Sequence, residues 1–236
     1  MEFRGRKLRT EQKFYLHLHD YLTLKNKVTM ALAMDRHSIN SDGYNIRSLY
    51  FDDPKRSALD EKNDGVFKRD KYRIRIYNGE DKTIKLERKS KFGDFVCKES
   101  APLTRQQYEW IRLGEYGFLY NSKENLLREF HVALVSYMFR PIVIVDYWRE
   151  AYIYEFGNVR ITFDKKLSAG INTINLFDPN LVLEETIPTE QTIMEVKYDS
   201  FLPDHVRKIV QPKSQIRSSI SKYVICRERS ILHYKE

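Results

Sequence analysis

Charged side chains alternate with apolar ones from Lys71 to Lys89, and this pattern could place a row of charges along one wall of a sheet. The run reads Lys-Tyr-Arg-Ile-Arg-Ile-Tyr, then Asn-Gly-Glu-Asp-Lys, then Thr-Ile-Lys-Leu-Glu-Arg-Lys. Alternation with a period of two predicts a pair of strands, and the Asn-Gly between them predicts a hairpin turn. Lys71, Arg73 and Arg75 then share one face of the first strand. Arginine forks and lysine point charges are the donors that bind phosphate oxygens.

The same design recurs on other predicted strands. Basic residues at alternating positions occur in five places, namely Lys13; Arg73 and Arg75; Lys85 and Lys89; Arg160; and Lys197. A glutamate stands two residues from a lysine in three of them, at Glu11, Glu87 and Glu195, about 7 Å away along an extended strand. Carboxylate oxygens are the ligands of Mg²⁺ or Mn²⁺ when the metal bridges phosphates. The pattern therefore indicates phosphate donors beside candidate metal ligands.

These charged faces could point out of the sheet or into it. If they point outward, the interior is an ordinary apolar core that holds Ile74, Ile84, Leu86, Met194 and Val196. If they point inward, the sheet encloses a cationic tunnel, and each unpaired buried charge costs several kcal/mol. A linear chain of phosphates with a divalent cation is the ligand that offsets such a cost. Periodicity alone favours neither orientation.

The composition is that of a folded, basic protein. The chain has 236 residues, 42% of them hydrophobic and 13% aromatic, and a net charge of +8. Such a charge favours a polyanionic partner: nucleic acid, an anionic membrane surface or a phosphate-rich small molecule. The sequence shows neither a signal peptide at its N-terminus nor an apolar run long enough to span a membrane. We therefore expect a cytoplasmic protein without a membrane segment of its own.

The predicted elements favour a single domain over residues 1–236, of the α+β class and mainly antiparallel β. At least eight strands are expected, at about residues 9–18, 45–52, 71–77, 83–89, 95–100, 159–164 and 192–198, and within 141–154, where an apolar strand is followed by a pairing strand at 151–154. A helical insertion is expected at about 104–140 and a C-terminal helix at about 218–229. About eight antiparallel strands can close into a barrel whose interior accommodates a ligand, with the helices at its periphery.

Several longer motifs occur together in this chain. They are Glu-x-Lys near the N-terminus, Ser48 to Asp52, Arg-Ile-Arg followed by Leu-Glu-Arg-Lys, Gly157 to Asp164, Glu195 to Asp199, and the terminal Ser-Lys-Tyr. Over about residues 4–228 they resemble the VTC domain, the polyphosphate polymerase module of the triphosphate tunnel metalloenzymes, which are relatives of the CYTH phosphatases. The resemblance implies a tunnel-shaped barrel lined by basic residues, with the C-terminal helix near one tunnel end. It also implies that ATP places its triphosphate in the tunnel, assisted by a divalent metal, often Mn²⁺.

The resemblance also carries residue roles onto this sequence. It implies phosphate or polyphosphate binding by Lys13, Arg73, Arg75, Lys89, Lys98, Arg160, Ser221 and Lys222, and metal coordination by Glu195. Lys85 and Lys197 alternate onto the same faces and are added on that ground, as are Glu11 and Glu87 for the metal, Mn²⁺ or Mg²⁺. Where the fungal proteins carry a further lysine this chain has Ser219, and Arg217 is the candidate that compensates. The fungal SPX domain and transmembrane segments have no counterpart in the sequence, which resembles the stand-alone bacterial form. No particular membrane-protein partner is expected.

The resemblance implies a phosphotransferase that passes the γ-phosphate of ATP to a growing inorganic polyphosphate chain. In that mechanism Arg73, Arg75 and Arg160 clamp the triphosphate and Glu195 holds the metal. The expected partners are ATP and inorganic polyphosphate or pyrophosphate. Three alternatives stay open: a triphosphatase that hydrolyses tripolyphosphate or nucleoside triphosphates in the same tunnel, a non-catalytic polyphosphate sensor, and a nucleic-acid-binding protein. No recognition motif supports the last, so no nucleic-acid partner is expected.

Overall fold

The computed structural model describes residues 2–3, 5–211 and 217–233. The strands are, in chain order, β1 (Glu2–Phe3), β2 (Arg6–Lys7), β3 (Arg9–His17), β4 (Ala33–Met34), β5 (Tyr44–Asp52), β6 (Lys68–Tyr77), β7 (Glu80–Phe92), β8 (Phe95–Leu103), β9 (Arg140–Tyr154), β10 (Val159–Gly170), β11 (Leu183–Glu185) and β12 (Gln191–Tyr198). The helices are α1 (Leu18–Ala31), α2 (Ser57–Asn63), α3 (Arg105–Leu113), α4 (Gly117–Tyr120), α5 (Asn125–Ser136), α6 (Asp204–Val210) and α7 (Lys222–His233), with a 3₁₀ turn at Phe156–Asn158.

Eight antiparallel strands close into a barrel in the order β5, β6, β7, β8, β3, β12, β10, β9. The ring closes because the long strand β9 pairs with β5 on one side and with β10 on the other. Within the described chain β3 and β8 are joined by two residue pairs, Arg9 with Val96 and Thr10 with Phe95, so the wall is weakest there. The predicted α+β class and closed barrel of about eight antiparallel strands are confirmed.

The apolar faces of the strands point out of the barrel and are covered by helices. Ile74, Ile84 and Leu86 pack in one buried layer under α3, α4 and α5. Met194 and Val196 pack in a second layer, on the opposite wall, under α1 and α6. These five residues would have filled the interior if the charges faced solvent. Because helices bury the outer face instead, the charged face is left to line the inside.

Arg88 on β7 ties the outer helix α5 to the barrel. Its guanidinium is almost fully buried and donates to Glu99 at 2.7 Å, to the Tyr72 hydroxyl at 3.1 Å, and to Glu129 of α5. The helices α3 to α5 lie within residues 104–140, the range predicted for a helical insertion. Arg88 is therefore an ionic anchor inside an otherwise apolar layer.

We expect the substitution Arg88→Met to lower the free energy of unfolding by about 3 kcal/mol, because it leaves Glu99 buried without its counter-ion. Urea unfolding followed by circular dichroism measures the change. The matched control is Arg207→Met, which removes an exposed arginine paired with Asp204 at 3.7 Å and should cost less than about 1 kcal/mol. Equal losses in the two variants would show that the buried anchor contributes no more than a surface pair.

The C-terminal helix α7 packs into one end of the barrel. Ile220, Tyr223 and Val224 join Val143 and Val145 of β9 in a buried apolar cluster. The lumen of the barrel therefore has two parts. One end is apolar and is filled by α7, and the rest is lined by charged residues. The predicted position of a C-terminal helix near one tunnel end is confirmed.

The residues just before α7 close the weak part of the barrel wall. The backbone N–H of Ser218 donates to the carbonyl oxygen of Lys13 at 2.9 Å, and the Lys13 ammonium donates to the carbonyl oxygen of Ile220 at 3.0 Å. Arg217 pairs with Asp94, in the turn between β7 and β8, at 2.8 Å. Residues 217–221 therefore bridge β3 and the β7–β8 turn, at the place where β3 and β8 are no longer paired.

None of the helices described here is long and apolar enough to cross a membrane.

Candidate functional site

The hollow of the barrel is a cavity of about 830 Å³ with a cationic wall. In the described part of the chain, three carboxylates line it, those of Glu11, Asp94 and Glu195. Sixteen basic residues line the same cavity: Lys7, Arg9, Lys13, Lys62, Arg69, Lys71, Arg73, Arg75, Lys89, Lys91, Lys98, Arg149, Arg160, Lys197, Arg217 and Lys222. The charged strand faces thus point inward, and this concentration of positive charge calls for an anionic ligand.

Glu87 holds two arginines and a lysine together on one wall. Its side chain is fully buried and one oxygen, Oε2, lies 2.6 Å from Arg73 Nη2 and 3.6 Å from Arg75 Nη1. The other oxygen, Oε1, accepts a hydrogen bond from Lys98 at 2.8 Å. Burial alone would raise the pKa of Glu87, but Arg75, Arg73 and Lys98 outweigh it and hold this pKa well below its usual range. The carboxylate is therefore ionised and fixes the arginine pair, Arg73 and Arg75.

Neutral hydroxyl groups complete the orientation of the arginine pair. Arg73 donates to the Tyr50 hydroxyl at 2.8 Å. Arg75 donates to Ser48 Oγ at 3.1 Å and to the Tyr147 hydroxyl at 3.2 Å. Both guanidinium groups are thus pre-oriented on rigid strands, although they share one carboxylate between them. One negative charge for two arginines leaves this wall with an unbalanced positive charge.

Glu195 on β12 sits among four cations. Its nearest contacts are Lys222 at 2.6 Å and Lys197 at 2.8 Å, and Lys13 and Arg149 each lie at 3.4 Å. Burial would raise the pKa of Glu195, but Lys197, Lys222, Lys13 and Arg149 overcome it and hold this pKa well below its ordinary value. The carboxylate is charged and is shared by residues of three strands and of α7.

Asp164 supports this cluster from behind. It receives two hydrogen bonds from Arg149, at 2.6 and 2.7 Å, and an ion pair from Lys222 at 2.6 Å. Burial alone would lower the pKa of Lys222, but Asp164 and Glu195 raise it far above its usual value. Lys222 thus stays protonated, fixed between two carboxylates as the first residue of α7.

Glu11 on β3 completes the carboxylate set of this wall. In the β3–β12 pairing Glu11 lies opposite Lys197, and Lys13 lies opposite Glu195. Glu11 Oε2 is 2.6 Å from the Lys89 ammonium, and Oε1 is 3.3 Å from that of Lys197. Burial would raise the pKa of Glu11, but Lys13, Lys89 and Lys197 together hold it far below its usual range. The two neighbouring strands therefore carry carboxylates and lysines in alternation.

Glu11 and Glu195 are the residues best suited to a divalent metal. Glu11 Oε1 is buried and accepts no hydrogen bond from any residue the structure describes. Those residues include no cluster of three or more His, Cys, Asp or Glu that could form a protein cage. Mg²⁺ in phosphate-binding sites commonly takes one or two protein carboxylates and substrate oxygens. This donor set fits a metal that is bound together with phosphate, because Glu11 and Glu195 line the cavity, whereas Glu87 lies behind the arginine pair and is not part of the lining.

Arg160 lies at the mouth away from α7. Its guanidinium is 2.6 Å from Asp35 Oδ2 and donates to the Tyr44 hydroxyl at 2.9 Å. Asp35 is buried, whereas the Arg160 side chain is 31% exposed. Arg160 is therefore held at the rim and can reach a ligand that enters there.

The structure brings most of the predicted site residues to one cavity. The lining includes Glu11, Lys13, Arg73, Arg75, Lys89, Lys98, Arg160, Glu195, Lys197, Ser221 and Lys222, and Glu87 lies directly behind the arginine pair. Lys85 is not part of the lining, although it shares a strand face with Glu87; it pairs with Arg75 next to a register shift. Arg217 and Ser219, the positions at which the chain departs from the fungal pattern, both line the cavity.

Several lining residues were not predicted from the sequence. Arg69 and Lys91 extend the alternating rows of β6 and β7, so continuing the period by one position would have found them; Lys71 was placed on the face of Arg73 and Arg75 but was given no phosphate role. Arg149 gave no such signal, because Val145 and Tyr147 occupy the preceding inward positions of β9.

Comparison with known proteins gives one family match. A model of the VTC domain matches residues 8–231. No curated protein sequence matches the chain significantly.

Several solved structures are similar to this chain. The PH1819 protein of Pyrococcus horikoshii is 16% identical, with 97% of this chain and 99% of that chain covered, at a TM-score of 0.46. A conserved hypothetical protein of Pyrococcus furiosus is 14% identical, with 92% of this chain and 99% of that chain covered, at a TM-score of 0.49. A candidate adenylate cyclase of Bacillus halodurans is 12% identical, with 86% of each chain covered, at a TM-score of 0.49.

Proposed function

The chain belongs to the VTC domain family, and we propose that it is a polyphosphate polymerase that uses ATP. In the proposed reaction, a terminal oxygen of the polyphosphate chain attacks the γ-phosphorus of ATP. The bond between the γ-phosphorus and the β–γ bridging oxygen breaks, and its electron pair leaves with ADP. The polymer grows by one phosphate per turnover.

The cationic cavity of the closed barrel is the observation that carries this proposal. A linear phosphate chain has negative oxygens along its whole length, so it is best held by donors on all sides. Among the described residues, sixteen lysines and arginines surround the hollow, most of them on strands and the others on α2, on α7 and just before α7, whereas a protein that binds a compact anion needs far fewer. The family match and this wall together support a function on triphosphate or polyphosphate.

The arginine pair and Arg160 are proposed to hold the triphosphate of ATP. Phosphoryl transfer needs alignment of donor and acceptor and stabilisation of the charge on the transferring group. Arg73 and Arg75 are pre-oriented by Glu87, so their donors require little rearrangement when phosphate binds. The acceptor oxygen is already ionised at neutral pH, and no general base is invoked.

Lysines on the remaining wall are proposed to guide the polyphosphate chain. Lys13, Lys89, Lys98 and Lys197 point into the cavity from four strands, and Ser221 and Lys222 reach it from the start of α7. Because Lys222 is fixed by Asp164 and Glu195, it would serve as a fixed positive charge for a passing phosphate. Lys98, at 51% side-chain exposure, is the most exposed lysine of this group and would act nearer the solvent.

Glu195 and Glu11 would hold the divalent metal that the family uses, Mn²⁺ or Mg²⁺. When bound, such an ion supplies positive charge that neutralises phosphate oxygens. Both carboxylates are kept ionised by the lysines around them, and this is the protonation state that metal binding requires.

The test is to incubate the purified protein with ATP and Mn²⁺ and to follow ADP release together with the products separated on a gel. Long-chain polyphosphate that a specific polyphosphatase degrades is the expected product. Phosphate release without polymer would assign the triphosphatase instead, and tight binding of polyphosphate without any ADP release would assign a sensor. In a competition experiment, labelled tripolyphosphate bound to the protein is displaced by duplex DNA or by unlabelled tripolyphosphate. If DNA were effective at the lower concentration, the phosphate-tunnel proposal would be overturned.

Binding of long-chain polyphosphate should weaken as the pH rises above neutrality. Burial, together with Arg69 and Lys89, lowers the pKa of Lys71 to about 7, and burial lowers that of Lys89 to about 7 despite Glu11. A bound polyanion favours the charged lysines and so raises both pKa values. Below pH 7 the lysines are already protonated, whereas above it each must take up a proton. The affinity should then fall by up to about tenfold per pH unit for each lysine.

Calorimetric titration from pH 6 to 9 measures this dependence. The matched variant is K71R/K89R, which keeps its charges throughout this range because an arginine side chain does not deprotonate in proteins. The ligand's own titration is the same for both proteins, so it cancels in the comparison. Identical slopes for wild type and variant would show that these lysines take up no proton on binding.

A further inference from the structure

Two neighbouring turns of the barrel present apolar side chains to solvent. The turn between α2 and β6 carries Val66 and Phe67, which are 41% and 69% exposed. Phe92 and Phe95 flank the β7–β8 turn and lie opposite each other in the strand pairing, and Phe95 is 37% exposed. None of these four side chains lines the cavity, so the proposed reaction gives them no role.

Direct contacts join the two turns into one surface. The backbone N–H of Gly93 donates to the carbonyl oxygen of Phe67 at 3.0 Å, and the Phe67 ring lies over Gly93, where an added Cβ would be 3.0 Å from it. Phe3 of β1 packs on Phe92, with ring centres 4.5 Å apart. A continuous exposed apolar surface marks an interaction site, whereas single exposed apolar residues do not. We call this set of residues the turn surface: Phe3, Val66, Phe67, Phe92 and Phe95.

The backbone fixes the most exposed part of the turn surface before any partner binds. The N–H of Val66 donates to the carbonyl oxygen of Glu61 in α2 at 2.9 Å. Gly65 has a φ of +72°, a conformation that glycine adopts without strain. Val66 and Phe67 are therefore held on both sides, by α2 and by the β7–β8 turn. Binding through them costs little ordering of the chain.

Lys68 places an exposed ammonium group at the edge of the turn surface. It lies opposite Phe92 in the β6–β7 pairing, and its Nζ is 6.0 Å from the centre of the Phe3 ring. None of the ion pairs between described residues includes Lys68. Asp64, in the same turn as Val66, is the exposed carboxylate nearest to it in the sequence.

The other charged neighbours of the turn surface add to its positive potential. Asp94 of the β7–β8 turn is already paired with Arg217 at 2.8 Å, and Glu2 lies opposite Lys7 in the β1–β2 pairing. Lys91 precedes Phe92 and lines the cavity together with Lys7 and Arg217. The strongly cationic lumen thus reaches the turn surface, and the summed charge of such a cavity creates a positive potential over the adjacent surface.

An anionic lipid surface fits this combination of groups better than a second copy of the chain. A second copy on the same surface would bring Lys68 and the positive potential of the lumen against identical charges. A bilayer surface that carries anionic lipids supplies the opposite charge. Phenylalanine side chains enter the boundary between headgroups and acyl chains, while neighbouring lysines meet the anionic headgroups.

We propose that the turn surface and Lys68 dock this protein on an anionic lipid membrane, with Val66 and Phe67 entering the headgroup–acyl boundary. Neither ATP nor polyphosphate takes part in this contact. The inference therefore goes beyond the proposed function and can fail without it.

Co-sedimentation of the full chain with lipid vesicles, in the absence of ATP and polyphosphate, tests the docking. Vesicles of phosphatidylcholine are compared with vesicles that contain about one third phosphatidylglycerol, and the latter should bind at least about tenfold more tightly. Raising the salt from about 0.1 M to about 1 M should weaken this binding about tenfold, because the Debye length falls from about 10 Å to about 3 Å. V66S/F67S should weaken it by about tenfold or more, because two apolar side chains no longer enter the bilayer.

Two further variants make the result specific. F156S/V182S replaces one phenylalanine and one valine that are 70% and 63% exposed elsewhere, and it should bind within about twofold of the wild type. K68Q should bind the anionic vesicles about fivefold more weakly and the neutral vesicles unchanged.

Three results would overturn the docking. They are a wild type that does not bind anionic vesicles, equal binding by V66S/F67S and the wild type, and equal binding of neutral and anionic vesicles. Self-association that V66S/F67S abolishes, without vesicle binding, would assign the turn surface to a second copy and would also overturn it. Because the assays of polymer synthesis contain no vesicles, none of these results bears on the proposed function.

Discussion

Replacing Arg75 by glutamine (R75Q) is expected to lower kcat/KM for polyphosphate synthesis from ATP by about 100-fold or more. Arg75 is buried and pre-oriented by Ser48 and Tyr147, so its donors are already in place when the γ-phosphate becomes more negative. Glutamine keeps a hydrogen-bonding group but supplies no charge. It also leaves Glu87 with Arg73 and Lys98, which preserves the wall and limits the loss of stability.

Two further variants separate charge from geometry at this position. R75K keeps the charge but loses the planar fork, and we expect it to remain at least about tenfold below the wild type. The control is K82Q, which replaces an exposed lysine near the start of β7. It should leave the rate unchanged. Polymer synthesis by R75Q within a few-fold of the wild type would exclude a role for Arg75 in the reaction.

The substitution Glu195→Gln should cost about 3 kcal/mol of folding free energy in the absence of phosphate. Glu195 is the shared counter-ion of Lys13, Lys197, Lys222 and Arg149, all at 3.4 Å or less. Glu11 and Asp164 remain, but two carboxylates then face the same four cations. The variant should also lose the metal dependence of its activity if Glu195 is a metal ligand.

Thermal and urea unfolding measure the loss, and long-chain polyphosphate provides the internal check. A polyanion that binds the folded state stabilises it, and it should raise the melting temperature of E195Q more than that of the wild type. The control E80Q removes one partner of an exposed pair with Lys82 and should cost less than about 1 kcal/mol. A melting temperature for E195Q equal to that of the wild type would contradict the counter-ion role.

The stability effect of Glu195 also has a definite pH dependence. The cations hold its pKa in the folded protein below the ordinary value, so its ion pairs favour folding when the carboxylate is charged. This contribution is fully present above the unfolded pKa of a glutamate, about 4.3, and is lost as the pH falls through the lower folded pKa. The difference between wild type and E195Q should therefore be largest near neutral pH and should shrink in acid.

These predictions share one property of the site, which is that few carboxylates organise many cations. Glu87, Glu11 and Glu195 each contact two or more basic groups, so each holds a set of donors in place without neutralising it. The remaining positive charge is available to a polyanion. Ligand binding should accordingly raise the stability of the whole barrel and not of one loop alone.

The local patterns of the sequence were sufficient to predict the elements of the barrel. Alternation along β6 and β7 placed Arg73 and Arg75 on one face and Ile74 and Ile76 on the other, because successive side chains of a strand point to opposite faces. The motifs that resemble the VTC domain predicted the family, and the match over residues 8–231 confirms it. Helices within 104–140 and at the C-terminus followed from their own apolar periodicity.

The sequence by itself could not determine which face of these strands lines the interior. A period of two is symmetric, so it gives the same pattern whether Ile74 or Arg73 faces inward. The tertiary structure decides this because α3 to α5 and α1 with α6 bury the apolar faces from outside, in two separate layers. Once those faces are covered, the charged faces are left for the lumen.

The pairing partners within the site were likewise determined only by the fold. Lys222 meets Asp164 and Glu195 because α7 enters one end of the barrel, and Arg160 meets Asp35 because β4 pairs with β9 beside the mouth. These contacts join residues far apart in the chain, and no local spacing specifies them. The sequence determined which charges are available and on which strand faces they lie. The closed ring of eight strands determined that they converge, because only closure gives the charged faces a common interior.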